Sequence, residues 1–147
     1  SDPFTIAQTY ADLAPTLTAV PASLFAGRSA RIEWSVANNG TLATDVTRWV
    51  DQVWLSTTPT LSGSSVLLGS VTRVGGLAVG EGYAAFLDVA IPRDQAGARY
   101  VIVRTDAFAV AYEAGRTANN VVATAAPLTV QPEPRPNLVI EQVQAPD

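Results

Sequence analysis

The sequence predicts an all-β chain: an Ig-like antiparallel β-sandwich of about seven strands with Greek-key connections. Two observations predict it. Apolar and polar residues alternate with a period of two in several short runs, and Gly, Pro and Asn clusters separate those runs at regular intervals. The third observation is an absence. No stretch of twelve or more residues carries the i, i+3, i+4, i+7 apolar pattern of an amphipathic helix, so crossover helices and a parallel sheet are not expected.

Residues 1–10 have no clear period and read as a tail or the end of a preceding segment. The first strand is expected over 11–21, with Leu13 and Leu17 on one face. Pro15 cannot donate to a ladder, so this strand belongs at an edge or breaks and switches sheets. Phe25, Ala26 and Gly27 read as a turn. Residues 28–38 form the clearest strand: Ala30, Ile32, Trp34 and Val36 alternate with Arg31, Glu33, Ser35 and Ala37. Asn38, Asn39 and Gly40 end it, because Asn and Gly tolerate positive φ.

The third strand, 46–57, has large apolar groups on both faces and is therefore expected to be central or covered by a loop; Trp49 and Trp54 lie on opposite faces, so one of them is expected to be partly exposed. A Ser/Thr-rich loop follows over 58–65, then a fourth strand over 66–74 that stops at Gly75 and Gly76. The fifth strand places Tyr83, Ala85, Leu87, Val89 and Ile91 on one face and ends at Pro92. The sixth covers 100–105 and the seventh 120–130, where Pro127 again implies an edge or a bulge.

Composition limits the chemistry. The chain has 147 residues, enough for one domain of about 100–150 residues with tails, and its 48% apolar content implies a packed core. The net charge of −4, with nine scattered Arg and no Lys, argues against nucleic acid as a partner. With no Cys and no His there is no thiolate nucleophile, no zinc cluster and no Ser–His–Asp relay. With no Lys there is no Schiff base. An enzyme built from this chain would have to work with Asp, Glu and Tyr, and no enzymatic activity is expected. No apolar run approaches the ~18–20 residues of a membrane helix. Residues 1–10 lack the pattern of a signal peptide, and the chain starts on Ser1, so an internal fragment or a processed product is expected.

Seven residues are singled out, all for structural roles. Trp34 shares its face with Ile32 and Val36 and is expected to fill the core. Asp51 sits among Trp49, Val53 and Leu55, where a carboxylate must be paired or hydrogen-bonded; a loop N–H or an Arg is the expected donor. Tyr100, after Asp94 and Gly97, has the spacing of a tyrosine corner, in which the hydroxyl bonds an upstream backbone group. Asp106, Glu113, Asn119 and Asn120 stock the loop between the last two strands. They are expected to cap turns and satisfy loop N–H groups. No cofactor is expected, although calcium is the ion that this set of oxygens would suit.

Beyond the seventh strand, 132–136 reads as a proline-rich extended linker. Asn137, Leu138 and Pro146 then repeat the spacing of Asp12, Leu13 and Pro21, each 125 residues downstream. The domain reading is therefore a tail over 1–10, a sandwich over 11–131, a linker over 132–136, and over 137–147 the first strand of a following repeat or a C-terminal tail.

Five segments in order, ADL with its following proline, RIEWSVANNGTLAT, WVDQVWLSTTPTLSGSSVLLGSV, GARYVIVRTD and EAGRTANN, resemble the CARDB-like family, the cell-adhesion-related domain of bacterial and archaeal proteins. The resemblance covers about 11–130. It implies a repeated Ig-like sandwich in large secreted or surface-exposed proteins, with adhesion or spacing as its role and no catalysis. Neighbouring repeats of the same chain are the implied partners, with a cell-surface protein or glycan as a further ligand class. The accessory domain of a secreted hydrolase is the alternative. Ser62-Gly63-Ser64 replaces an acidic residue common in the family's third loop, and Ala-Gly-Arg-Thr stands where Asn-Glu-Thr is common, so the case for a metal is weakened.

Overall fold

The computed structural model describes residues 9–114 and 117–133. Residues 1–8 of the tail expected over 1–10, the Gly115–Arg116 step, the linker beyond Glu133 and the segment 137–147 lie outside the described residues. Among the described residues nine strands form two sheets. In chain order they are β1 (Leu13–Ala19), β2 (Ser23–Phe25), β3 (Ser29–Asn38), β4 (Arg48–Ser56), β5 (Val66–Val74), β6 (Gly82–Ala90), β7 (Gly97–Arg104), β8 (Val121–Ala123) and β9 (Leu128–Gln131), with one 3-10 turn at Thr117–Asn120 before β8.

The smaller sheet has the order β1-β3-β6, the larger β2-β9-β7-β4-β5 with β8 also on β7. The chain passes between sheets after β1, β2, β3, β5 and β6, which makes this an Ig-like sandwich. Pro15 lies in β1, an edge strand paired only with β3, as a proline requires. β4 lies between β7 and β5, which explains its apolar residues on both faces: Trp49 is buried, and Trp54 on the opposite face is half-buried.

Two expectations are corrected. The turn assigned to Phe25 is the end of β2, a short strand that pairs in parallel with β9 and so adds one parallel rung to an otherwise antiparallel fold. Three residues with one inward side chain, Leu24, are too few for periodicity to register. The expected seventh strand is split in two. β8 pairs with β7 at Ile102–Arg104 and β9 pairs with it at Gly97–Arg99. Between them Thr124 bonds Val101 through its backbone N–H and its hydroxyl, and Pro127 has no N–H with which to continue the ladder.

The core lies between the sheets. Ile32, Trp34 and Val36 of β3 face Trp49, Val53 and Leu55 of β4 and Val101 and Val103 of β7. These positions are the alternate residues of each strand, so the period of two is what closes the sandwich. Ile32→Ala is expected to destabilise the fold by about 2–5 kcal/mol through lost burial and a residual cavity. Leu67→Ala, at a side chain that is nearly half exposed, is expected to stay within about 0.5 kcal/mol. Urea unfolding of the two variants checks both values, and equal losses would mean that β5 and β3 are not placed as described.

Candidate functional site: the buried carboxylates and the upper pole

Asp51 sits on β4 with its side chain turned into the core, 1% exposed. Each of its oxygens accepts two donors. Oδ2 takes Trp34 Nε1 at 3.1 Å and the Tyr83 hydroxyl at 2.7 Å. Oδ1 takes the Thr105 hydroxyl at 2.6 Å and the Asp106 backbone N–H at 3.3 Å. Trp34 and Tyr83 belong to the small sheet, Asp51 to the large one, and Thr105 follows β7, so a single carboxylate ties both sheets together. The Tyr83 hydroxyl also accepts Trp49 Nε1 at 2.9 Å, and the two rings meet at a tilt of 51°. Burial first, and then the neighbouring Asp51 charge, push the Tyr83 phenol well above its ordinary value, which keeps it a neutral donor.

The donors to Asp51 are thus two ring or hydroxyl groups from across the sandwich, a threonine hydroxyl and a loop N–H. The loop N–H was expected from the sequence and no Arg takes part. A cleft of about 270 Å³ opens beside this group between β5 and β6, lined by Asp51, Val71, Thr72, Arg73, Val74, Tyr83, Ala84 and Ala85. Arg73 covers the Tyr83 ring at 4.3 Å. Asp51 is the only carboxylate lining this cleft, so a pair spaced for glycoside hydrolysis, ~5–9.5 Å apart, is not assembled there.

Four of the other singled-out residues, Asp106, Glu113, Asn119 and Asn120, gather at one end of the sandwich, here called the upper pole. Asp106 adopts φ 48°, in the left-handed region that an Asp tolerates better than most residues. Its carboxylate accepts the N–H groups of Val110 and Ala111, both at 2.9 Å, which closes the loop on itself. Glu113 is 2% exposed; Oε1 accepts the Leu13 N–H at 2.9 Å and Oε2 accepts Asn120 Nδ2 at 2.7 Å. Asn119 donates to Asp12 Oδ1 at 2.7 Å. Asp106, Glu113, Asn119 and Asn120 therefore join the loop to β1 and to the chain before it. Every carboxylate oxygen of Asp106 and Glu113 already takes one N–H, and among the described residues no group of three acidic side chains is placed to hold a metal ion.

Tyr100 lies half-buried in β7 opposite Ser56, and among the described residues its hydroxyl makes no hydrogen bond. The bond to an upstream backbone group is therefore not made, and the buried tyrosine hydroxyl of this fold belongs to Tyr83. Sequence reasoning also missed Asn38, which is fully buried. Its Oδ1 accepts the N–H groups of Asp12 and Gly40, and its amide donates to the carbonyls of Leu42 and Leu77. Gly40 is needed beside it, since a Cβ there would stand 2.7 Å from the Asp12 nitrogen. Asn38 was legible only as the end of a strand; nothing local in its sequence marks the three segments that it joins.

No family model matches the sequence, and no curated protein matches it. Solved structures do. The CARDB domain of the PF1109 protein from Pyrococcus furiosus, solved in complex with di-metal ions, is similar over 87% of this chain and 100% of that domain, at 19% identity and a TM-score of 0.61. A solution structure of the same domain is similar over 86% of this chain and 100% of its own, at 18% identity and a TM-score of 0.59. β-Glucosidase 3B from Thermotoga neapolitana, in complex with α-D-glucose, is similar over 86% of this chain at 18% identity and a TM-score of 0.53, but the match covers only 17% of the enzyme. The chain has a CARDB-like fold, and the same fold forms a small part of a larger enzyme.

Burial raises the Glu113 carboxyl above the ordinary value of 4.5, against the opposing hydrogen bonds from Asn120 and Leu13. A raised pKa in the folded state means that Glu113 favours folding most below pH 4.5, and that this contribution is lost as pH rises through the raised value. Relative to a Glu113→Gln variant, the parent chain should thus lose stability as pH rises above 4.5. Denaturant unfolding at a series of pH values measures the difference, and a difference that is flat or rises with pH would contradict the burial described.

Proposed function

We propose that this chain is a non-catalytic β-sandwich module of a larger secreted or surface protein, where it spaces and aligns its neighbours and contributes to adhesion. The observation that carries this reading is where the described chain enters and leaves the sandwich, at Tyr10 and at Glu133. At the upper pole the Tyr10 carbonyl accepts the N–H groups of Thr41 and Leu42, and Asp12 meets Asn38 and Asn119. At the opposite, lower pole Ala26 N–H bonds the Gln131 carbonyl and Arg93 pairs with Glu133 at 3.1 Å. The ten-residue β3 runs from one pole to the other, a distance of roughly 30 Å. A module that receives the chain at one end and releases it at the other extends an array along its own axis.

The similarity to CARDB domains and the absence of His, Cys and Lys both favour a role without catalysis. The di-metal ions are those of the PF1109 structure; in this chain the carboxylates of Asp106 and Glu113 accept from Val110, Ala111, Leu13 and Asn120. Neighbouring repeats are the proposed partners, with a cell-surface protein or glycan as the outer ligand. The second reading, an accessory domain of a secreted hydrolase, is favoured by the partial match to a β-glucosidase.

The full chain carrying residues 9–133 twice in tandem tests the spacer reading by small-angle scattering. The expected particle is rod-like, with a maximum dimension close to twice that of the single-copy chain. A side-by-side particle no longer than one copy would remove the reading.

A further inference from the structure

Among the described residues, six of the nine exposed large apolar side chains, Leu42, Val74, Val79, Phe108, Val110 and Tyr112, lie on loops or strand ends at the upper pole. Phe108 is 66% exposed and Val110 48%. They are not on a slack loop. Asp106 holds Val110 and Ala111 by their N–H groups, Ala107 bonds the Val50 carbonyl, and Tyr112 N–H bonds Asp45. Asp106, Ala109 and Ala114 all take φ near +50°, a conformation that costs free energy in a residue other than Gly and persists only when neighbouring bonds impose it. The segment is thus built to present apolar side chains outward, at the pole where the chain arrives.

We propose that this pole is a docking face for the lower pole of the preceding copy of the same module. The inference rests on the repeat reading given above. The 125-residue offset of the Asn137, Leu138 and Pro146 echo makes position 135 the counterpart of Tyr10, whose backbone is already anchored at the upper pole. The preceding module holds the chain as far as Glu133, through Arg93. Two residue steps separate these anchors, which span at most about 7 Å of extended chain. Two poles joined so closely must touch, and the face that meets the upper pole is the one around Arg93.

The chemistry of the two faces agrees with contact. The lower pole offers Phe25, 42% exposed with Arg28 over its ring, as an apolar platform. Both faces carry charges of both signs: Arg28, Asp94 and the Arg93–Glu133 pair at the lower pole, and Asp12, Asp45, Glu81 and Arg48 at the upper. The apolar residues supply the area that water would otherwise cover.

Hydroxyl-radical footprinting of Phe108 in the tandem chain, with residues 9–133 present twice, tests the proposal. Phe108 of the second copy should react at least about threefold more slowly than Phe108 of the first, and a ten-residue Gly/Ser insertion between the copies should restore equal rates. Phe108→Ser with Val110→Ser in the second copy should widen the distribution of particle lengths in scattering, while leaving the unfolding midpoint of the single-copy chain unchanged. Equal Phe108 rates in an elongated particle would overturn the docking and leave the spacer reading standing. A side-by-side particle would overturn both.

Discussion

Everything in this molecule depends on one buried carboxylate. Asp51 accepts four hydrogen bonds in the middle of the sandwich: two donors come from across the core, one from the residue that follows β7, and one from the loop beyond it. A charge taken out of water is tolerable only when its lone pairs are filled in this way. The arrangement fixes more than stability. A hydrophobic sandwich specifies which faces meet, but the area term is nondirectional and allows the sheets to slide. Hydrogen bonds from Trp34 and Tyr83 to a residue of the opposite sheet set the relative position of β3, β6 and β4.

The same carboxylate begins the ordering of the upper pole. Asp106 N–H points at Asp51, and the Asp106 side chain then turns to hold Val110 and Ala111. Glu113 and Asn120 carry the order on to β1 through Leu13. A chain of acidic side chains, each committed to N–H or hydroxyl donors of the protein, thus runs from the core to the surface, and three positions along its loop take positive φ. Such carboxylates serve as anchors, and the surface that they shape is apolar. A general acid or base, by contrast, must keep a lone pair or proton available for a substrate.

Much of the fold was legible in the sequence because it is encoded in strict alternation. Ile32, Trp34 and Val36 need only a period of two to be placed on an inner face, and Pro15 alone puts β1 at an edge. Asp51 was legible as a carboxylate that must be satisfied, since Trp49, Val53 and Leu55 surround it in register. Its partners were not. Tyr83 is 32 residues away and Thr105 is 54, and only the closing of two sheets brings them within reach. Asn38 escaped for the same reason: its bonds join the chain before β1 to the loops after β3 and β5. β2 was missed because a strand of three residues has no period, and β8 and β9 were fused because Pro127 signals a break without saying whether pairing resumes after it.

The most direct measurement is a double-mutant cycle between Asp51→Asn and Tyr83→Phe, read by denaturant unfolding. If the Asp51 carboxylate joins the two sheets, each single substitution should cost at least about 1 kcal/mol and the pair should be non-additive by roughly 1–3 kcal/mol, because removing either partner spoils the same bond. Costs that add to within about 0.5 kcal/mol would show two independent sites and contradict the account.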